Sequence, residues 1–278
     1  MKNKMSILLL LSVFLLGLAI VLYPLVSNYL NSKTQSRAIS SYGNAVAAAK
    51  TADYSRLFAA ADAYNESLRD LAFPLTDYEQ LEGYRQMLAL EGSNVMARIS
   101  IEKIDVDLPV CHGSSEAVLS IAAGHLQGSS LPVGGAGTHA VLTAHRGLPS
   151  ARLFSDLNRL EAEDIFQISV LDRKLLYRVE EIVTVKPDET DRLRIVPGED
   201  YCTLFTCTPY GINTHRLLVR GKRLADGESG VIEDEVITSS RKYDVDFLPA
   251  LTLVFAAVLM ARLTALLVKY KRRELKND

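Results

Sequence analysis

The stretch "TLFTCTPYGINTHRLLVRGKR", residues 203–223, joins two runs rich in apolar and β-branched residues through a short polar segment. The first run ends near Cys207, and the second begins near Arg216. The segment between them holds a proline, a glycine and an asparagine, which are typical turn residues. The pattern predicts a β-hairpin. Cys207 and Arg216 are symmetric about its loop, so we expect cross-strand neighbours whose side chains can meet on one face.

A thiol beside a cation is a candidate nucleophile. An unperturbed cysteine has a pKa of about 8.5, so it needs a base or a nearby positive charge to become a thiolate at neutral pH. Arg216 supplies such a charge, and a histidine would activate the thiol further. His145 in "LTAHRG" lies where a predicted strand meets a loop, which is a common position for reactive side chains. The alternative from the residues alone is that Cys207 is a small packed residue.

Four of the five histidines fall in one short segment, namely His112, His125, His139 and His145. Imidazole is a common metal ligand, but these spacings match no short zinc pattern, and the chain contains neither HExxH nor CxxC. We therefore predict neither a metal nor another cofactor. The net charge of −2 and the lack of a nucleic-acid motif predict no nucleic-acid partner.

An apolar run near the amino terminus, "MSILLLLSVFLLGLAIVLYPLVSNYL", is long enough to cross a bilayer, which requires about 20 apolar residues. No charged residue lies between Lys4 and Lys33. A cleaved signal peptide would have a shorter apolar core that ends at a small-x-small site. The longer run favours a retained membrane anchor over residues 1–32.

A second apolar run, residues 247–268, carries Arg262 near one end, where an arginine can snorkel to the interface. The tail at residues 269–278 is densely basic, and the amino terminus also carries lysines. The positive-inside rule places both ends in the cytoplasm. We therefore predict a two-pass protein of the cell membrane, with its central domain on the extracellular face and a linker over residues 225–246.

Disulfides are permitted outside the cell, but the chain has an odd number of cysteines, Cys111, Cys202 and Cys207. Cys202 and Cys207 lie five positions apart on one predicted strand, so their side chains point to opposite faces and cannot bridge each other. A bridge between Cys111 and Cys202 stays open at this point.

The composition and periodicity of the central part of the chain change near residue 96. Residues 33–95 are rich in alanine, leucine and charges, and their apolar positions recur at helical spacing until Pro74, which predicts a helical arm. Residues 96–224 contain short β-branched runs separated by Gly, Pro and Asp clusters, which predicts a mainly β sandwich or barrel. Within it, "SARLFSDLNRL" and "ETDRLRI" are expected to form short helical crossings.

The motifs together resemble those of the sortases, which are membrane-anchored cysteine transpeptidases of Gram-positive bacteria. "TLFTC", followed nine residues after its cysteine by an arginine, is similar to the family signature. "LPVGGAGTHAVLTAHRGLPSARLFSDL" and "LPVCHGSSEAVLSIAAGHLQGSSLPV" resemble class C sortases, which polymerise pilins. The similarity runs from about Tyr84 to Leu224. It implies an eight-stranded sortase-type β-barrel with short helices, an N-terminal helical arm and two terminal transmembrane helices.

The resemblance also implies a reaction. The catalytic residues would be His145, Cys207 and Arg216. The enzyme would cleave an LPxTG-like sorting signal between threonine and glycine through a thioacyl-enzyme, and would transfer it to a lysine amine of another pilin. Pilin subunits would be its partners. Two alternatives remain, a housekeeping sortase that anchors surface proteins to cell-wall peptidoglycan and a non-enzymatic, membrane-anchored extracellular β-domain.

Many class C sortases carry an N-terminal lid with an Asp-Pro-aromatic motif that plugs the active site. The corresponding region here, "LAFPLTDYEQLEGY", has no Asp-Pro pair. Phe73, Asp77 and Tyr78 are the candidate lid residues. The alternative is a lid that is absent or differently ordered.

Overall fold

A computed structural model of the chain describes residues 2–49 and 51–225, together with the single residue 262. The predicted linker (225–246), second span (247–268) and basic tail (269–278) lie outside the described residues, apart from positions 225 and 262.

The central domain is a closed barrel of eight strands in the order β1-β2-β3-β4-β7-β8-β6-β5. The strands are β1 (Val95–Ile101), β2 (Val106–His112), β3 (Ala123–His125), β4 (Thr138–Thr143), β5 (Ile165–Val170), β6 (Arg173–Val185), β7 (Asp200–Thr208) and β8 (His215–Arg223). Two of the pairings, β2 with β3 and β4 with β7, are parallel. The predicted eight-stranded barrel is confirmed.

The strands form where every second side chain is apolar and turns into the barrel. In β5, for example, Phe166, Ile168 and Val170 are buried, while the residues between them are partly exposed. Phe166 stacks on Tyr177 of β6 with ring centroids 5.4 Å apart. A Cβ at Gly221 would lie 2.5 Å from the Phe166 ring, so the core requires a glycine there.

Helices precede and connect the strands. They are α1 (Lys2–Ala48), α2 (Thr51–Arg69), α3 (Pro74–Asp77) and α4 (Glu116–Leu119), with single 3-10 turns at Tyr78–Gln80, Tyr84–Gln86, Glu102–Ile104, Leu157–Arg159 and Asp191–Leu193. The last two turns fall within the stretches predicted as helical crossings. Helix α1 continues without a break through position 32, where the sequence suggests that the anchor meets the arm.

The chain divides between residues 26 and 27 into two compact units. The first contains the amino-terminal part of α1, where large apolar side chains such as Leu9, Leu16 and Ile20 are exposed. By length and composition, α1 is a candidate membrane span over Leu9–Ala48, although a signal sequence would meet the same criterion.

The second unit contains the barrel and the helical arm. Tyr42 of α1 is buried, and its hydroxyl donates to Met96 O (3.1 Å) and accepts from Leu171 N (2.7 Å). Closer to the amino terminus of the same helix, Asn31 Nδ2 donates to Ser150 O at 2.8 Å. The carboxy-terminal part of α1 is therefore tied both to the barrel and to the loop after β4.

Helix α2 packs one apolar stripe against the barrel. Phe58, Ala61, Tyr64 and Leu68 are buried at spacings of three or four residues, as the helical periodicity predicts. The guanidinium of Arg173 lies over the Phe58 ring at 3.6 Å from its centroid, a cation–π contact that joins the arm to β6.

Candidate active site

Strands β7 and β8 form the predicted hairpin, and Cys207 is the register partner of Arg216. Its loop is closed by two backbone bonds to Pro209 O, one of them from Asn213 N at 3.0 Å. Cys207 is half-buried. Arg216 Nη1 donates to Asn213 O and to His215 O, each at 3.1 Å. The thiol and the guanidinium thus belong to neighbouring positions beside the hairpin loop.

Strand β4 brings His145 to the same end of the barrel, because it runs parallel to β7. The pairing continues past the end of β4, where Ala144 N donates to Phe205 O (3.4 Å) and Thr206 Oγ1 donates to Ala144 O (2.8 Å). Continuing this register by one residue sets His145 beside Cys207. The three predicted site residues therefore lie at one end of three adjacent strands, β4, β7 and β8.

The imidazole of His145 has one carboxylate contact that the sequence did not predict. His145 Nε2 lies 3.2 Å from Glu116 Oε2, on the short helix α4. Glu116 is 80% exposed, so its charge is strongly screened and the ion pair contributes little to stability. The pairing joins residues 29 positions apart, and no local pattern in the sequence indicates it.

A cavity of about 370 Å³ opens beside Arg216, within the size range typical of ligand pockets. Phe205, Arg216 and Leu218 form its barrel wall, and Leu75 and Tyr78 reach it from the arm. The rest of its lining comes from the β2–α4 loop, the loop after β3 and the β6–β7 connection. The residues involved are Gly113, Ser114, Leu126, Gln127, Val185, Lys186, Pro187, Glu189, Thr190 and Leu193.

The three candidate lid residues occupy different places. Tyr78 lines the cavity beside Arg216. Phe73 is 64% exposed and lines a second cavity of about 550 Å³. Asp77 is the last residue of α3. Leu75, for which the sequence gives no signal, lines both cavities.

The candidate lid segment, residues 74–78, packs closely against Gly128. This glycine has a φ of +93°, and a Cβ there would lie 2.6 Å from Pro74 O, 2.9 Å from Leu75 Cα and 3.0 Å from Tyr78 Cδ1. Such distances exclude any larger side chain without movement of the backbone. The absence of a side chain at Gly128 is therefore what allows residues 74–78 to approach the barrel.

Two other histidines are buried and held neutral. His125 Nε2 lies 2.8 Å from Ser130 O, which can only accept, so the proton is assigned to Nε2, and Nδ1 accepts from Tyr84 Oη at 2.9 Å. In the same way, His139 Nδ1 donates to Arg194 O and Nε2 accepts from Thr203 Oγ1. Burial lowers the pKa of each imidazole to about 4.

His112 also has a structural partner, a backbone carbonyl oxygen. His112 Nε2 lies 2.8 Å from Met87 O, and burial lowers the pKa of its imidazole. In the ranges 2–49 and 51–225, no three His, Cys, Asp or Glu side chains converge in a way that could hold a metal ion.

The cysteines are chemically distinct. Cys202 is buried and Cys111 half-buried, and both are free, as is Cys207. The bridge between Cys111 and Cys202 that the sequence left open does not form, because β2 and β7 are separated by two strands of the barrel. Burial raises the pKa of Cys111 to about 11 and raises that of the Cys202 thiol well above its ordinary value, so neither is a thiolate at neutral pH.

Comparison with known proteins identifies the fold. A sequence profile of the sortase domain matches residues 99–224. Among solved structures, sortase C1 from Streptococcus agalactiae is 47% identical, with a TM-score of 0.64, and the match covers 68% of this chain and 99% of that one. Sortase C from Streptococcus pneumoniae is 44% identical, with a TM-score of 0.61 and coverages of 67% and 96%. A structure described as the pilus-related sortase C of Group B Streptococcus is 42% identical, with a TM-score of 0.61 and coverages of 67% and 97%.

Curated relatives are more distant. Sortase A of Streptococcus agalactiae serotype III is 27% identical over 154 residues, which are 54% of this chain, and sortase A of Bacillus anthracis is 30% identical over 133 residues, which are 48% of it. The chain spans only 62% and 61% of the lengths of these two relatives. It covers nearly the whole of a solved sortase C1 at 47% identity, and it therefore belongs to the sortases, the cysteine transpeptidases that its motifs resemble.

Proposed function

We propose that the protein is a pilin-polymerising sortase. It cleaves an LPxTG-like sorting signal between threonine and glycine, and it joins the threonine carbonyl to a lysine amine of another pilin. The observation that carries this proposal is the pairing of Cys207 with Arg216, with His145 just beyond the end of the adjoining strand β4 and a cavity beside the arginine.

In the first half of the reaction, the Cys207 thiolate attacks the threonine carbonyl carbon and forms a carbon–sulfur bond. Arg216 donates hydrogen bonds to the oxygen on which negative charge develops. His145, as imidazolium, protonates the glycine nitrogen as the carbon–nitrogen bond breaks. The products are a thioester on Cys207, a neutral imidazole and a released glycine amine.

In the second half, the lysine amine attacks the thioester carbonyl. His145 accepts the proton that this nitrogen loses, the carbon–sulfur bond breaks, and Cys207 leaves as a thiolate. The result is an isopeptide bond between two pilins, and the enzyme returns to its initial protonation state. Attack by water on the same thioester gives simple hydrolysis.

The assignment to the pilin-polymerising class rests on similarity. The sortase C structures described above are 42–47% identical to this chain, whereas the two sortase A relatives are 27% and 30% identical. One of the sortase C relatives is described as pilus-related. The alternative of a housekeeping sortase shares the chemistry but uses a cell-wall amine as acceptor.

We propose that the barrel lies on the extracellular face of the cell membrane. Helix α1 would anchor it, and the apolar run at 247–268 would form a second pass that leads to the basic cytoplasmic tail. Confinement of enzyme and pilins to one surface raises their effective concentration.

We further propose that residues 73–80 act as a lid over the cavity, in spite of the missing Asp-Pro pair. Leu75 and Tyr78 are the side chains that would obstruct a peptide next to Arg216, because they form part of the cavity wall. Phe73 and Asp77 do not line this cavity and would not fill the site.

The function is tested by supplying a pilin that carries a sorting signal to the full-length enzyme and to its Cys207→Ala variant. We expect covalent pilin ladders from the wild type and none from the variant, while Cys111→Ala, the matched control, keeps its activity. Ladders at the wild-type rate from Cys207→Ala would refute the mechanism. A peptidoglycan-type amine that is used in strong preference to the pilin lysine would favour the housekeeping alternative.

A further inference from the structure

Arg146 directly follows His145, and its guanidinium donates to three separate acceptors of the protein. Nη1 donates to Thr208 Oγ1 at 3.0 Å, Nε to Ser155 O at 3.2 Å and Nη2 to Asn158 Oδ1 at 2.8 Å. Arginine is planar and holds its N–H groups in a rigid fork, so three bonds in three directions fix its position.

The bond to Thr208 is the informative one, because Thr208 directly follows Cys207. On the other side of the pair, the side chain of Thr206 donates to Ala144 O at 2.8 Å. The residue before His145, Ala144, is therefore bonded to the residue before Cys207, Thr206. The residue after His145, Arg146, is bonded to the residue after Cys207, Thr208. Both bonds are made by side chains and lie beyond the last paired residues of β4.

The other two bonds of Arg146 hold the loop that leaves the site. Ser155 and Asn158 belong to the segment that folds back on His145, where Phe154 N donates to His145 O at 3.1 Å. Arg146 thus connects three backbone segments, those of β4, β7 and the following loop, at the position where the proposed acid and nucleophile meet.

We propose that Arg146 is a positioning residue, which keeps the imidazole of His145 in register with the Cys207 sulfur. This inference rests on the proposed function. Arg146 differs from Arg216 in that its Nε, Nη1 and Nη2 are all engaged by acceptors of the protein, so it acts through His145 rather than on the substrate. It is expected to affect proton transfer and thiolate formation more than binding of the sorting signal.

The size of the effect follows from the geometry of proton transfer. A displacement of about 1 Å in a catalytic pair can lower the rate by about 100-fold. We expect Arg146→Gln to lower kcat by about 10- to 100-fold with KM for a sorting peptide changed by less than about threefold. Arg146→Lys keeps the charge but cannot make three forked bonds, so it should restore little. Thr208→Val removes only one acceptor and should give a smaller loss.

The experiment measures kcat and KM of the full-length enzyme with a fluorogenic sorting peptide, across a pH series. The pH dependence of Cys207 alkylation is measured in parallel, and thermal unfolding checks the fold. The matched control is Arg152→Gln, because the Arg152 guanidinium bonds Asp156 Oδ2 at 2.7 Å on the same loop. We expect a lower kcat and a shifted pH profile for Arg146→Gln, because proton transfer depends on the geometry of the thiol and the imidazole, and a wild-type profile for the control.

The double variant separates positioning from general destabilisation. If Arg146 acts through Thr208, the losses in Arg146→Gln and Thr208→Val are not additive. Additive losses, an unchanged pH profile, or an effect no larger than that of Arg152→Gln would overturn the inference. Should Arg146→Gln fail to fold, Thr208→Val decides the matter, and an unaltered kcat in that folded variant would refute the role. Failure of both the wild-type enzyme and the Tyr78→Ala variant to turn over the peptide would instead refute the proposed function.

Discussion

Cys207 and Arg216 are direct partners across the β7–β8 ladder. Every other pair in this hairpin follows from the same register, so a slip of one residue would turn one of the two side chains to the opposite face. The barrel closes on both sides of the hairpin, with β4 against β7 and β6 against β8. The relation of thiol to guanidinium is thus fixed by the fold as a whole.

Arg216→Lys tests the value of the guanidinium fork. The lysine keeps the positive charge but cannot donate two parallel bonds, so we expect kcat to fall by about 10²- to 10³-fold, the usual effect of losing an oxyanion donor. Turnover of a sorting peptide measures it. Arg98→Lys, at an ion pair with Asp107 on β1 and β2, is the matched control. Full activity of Arg216→Lys would show that the geometry of the guanidinium is unimportant.

Tyr78→Ala tests the lid. Removal of the ring opens one wall of the cavity beside Arg216, so we expect faster hydrolysis of a short sorting peptide and faster alkylation of Cys207. Gly128→Ala should act in the same direction, because its methyl group would displace residues 74–78. Phe73→Ala is the control on the exposed side of the segment. Equal rates in all four proteins would argue against a plug.

The stability of the barrel should depend on pH because of its buried neutral histidines. Burial lowers the pKa of His125 and His139 to about 4, whereas both return to about 6.5 in the unfolded chain. Between these values the unfolded state binds more protons. The free energy of unfolding therefore falls as the pH drops from about 6.5 to 4, by up to about 1.4 kcal/mol per pH unit for each histidine.

Urea denaturation of the detergent-solubilised protein, followed by tyrosine fluorescence, measures this slope. His139→Gln should reduce it by the contribution of one group, and His125→Gln should reduce it by a similar amount. A wild-type free energy of unfolding that is constant over this pH window would contradict the assignment of neutral, buried imidazoles.

Tyr42→Phe tests the attachment of α1 to the barrel. The substitution leaves Leu171 N without its acceptor, and this bond is buried. An unsatisfied buried donor costs about 1–3 kcal/mol, so we expect the free energy of unfolding to decrease by that amount. Tyr29→Phe, on an exposed part of the same helix, is the matched control. A change within experimental error for Tyr42→Phe would show that helix and barrel are held together by other contacts.

Local sequence patterns predicted most of the barrel, because β-branched runs between turn residues mark strands wherever the strand is long enough. No local pattern marks strand β3, because it has only three residues, Ala-Gly-His, and lacks both alternation and β-branching. The partnership of Cys207 with Arg216 was predictable because a hairpin pairs residues by simple counting from its loop.

The rest of the site depends on contacts that are distant in sequence. The placement of His145 at the same end of the barrel as Cys207 follows from a parallel pairing of β4 with β7, which no periodicity reveals and which only the family resemblance indicated. Glu116 and Arg146 meet their partners 29 and 62 residues away. Leu75 lines the cavity, but a single leucine carries no motif that would mark it as a lid residue in the sequence.

The central claim is that Cys207 carries the acyl group. Intact mass spectrometry of the full-length enzyme, quenched during turnover of an LPxTG-like peptide, followed by peptide mapping, tests it most directly. The account predicts an adduct on Cys207 whose mass is that of the peptide segment that ends at threonine. Hydroxylamine should remove this adduct, and a pilin lysine should discharge it. An adduct on another residue, or turnover by Cys207→Ala at the wild-type rate, would contradict it.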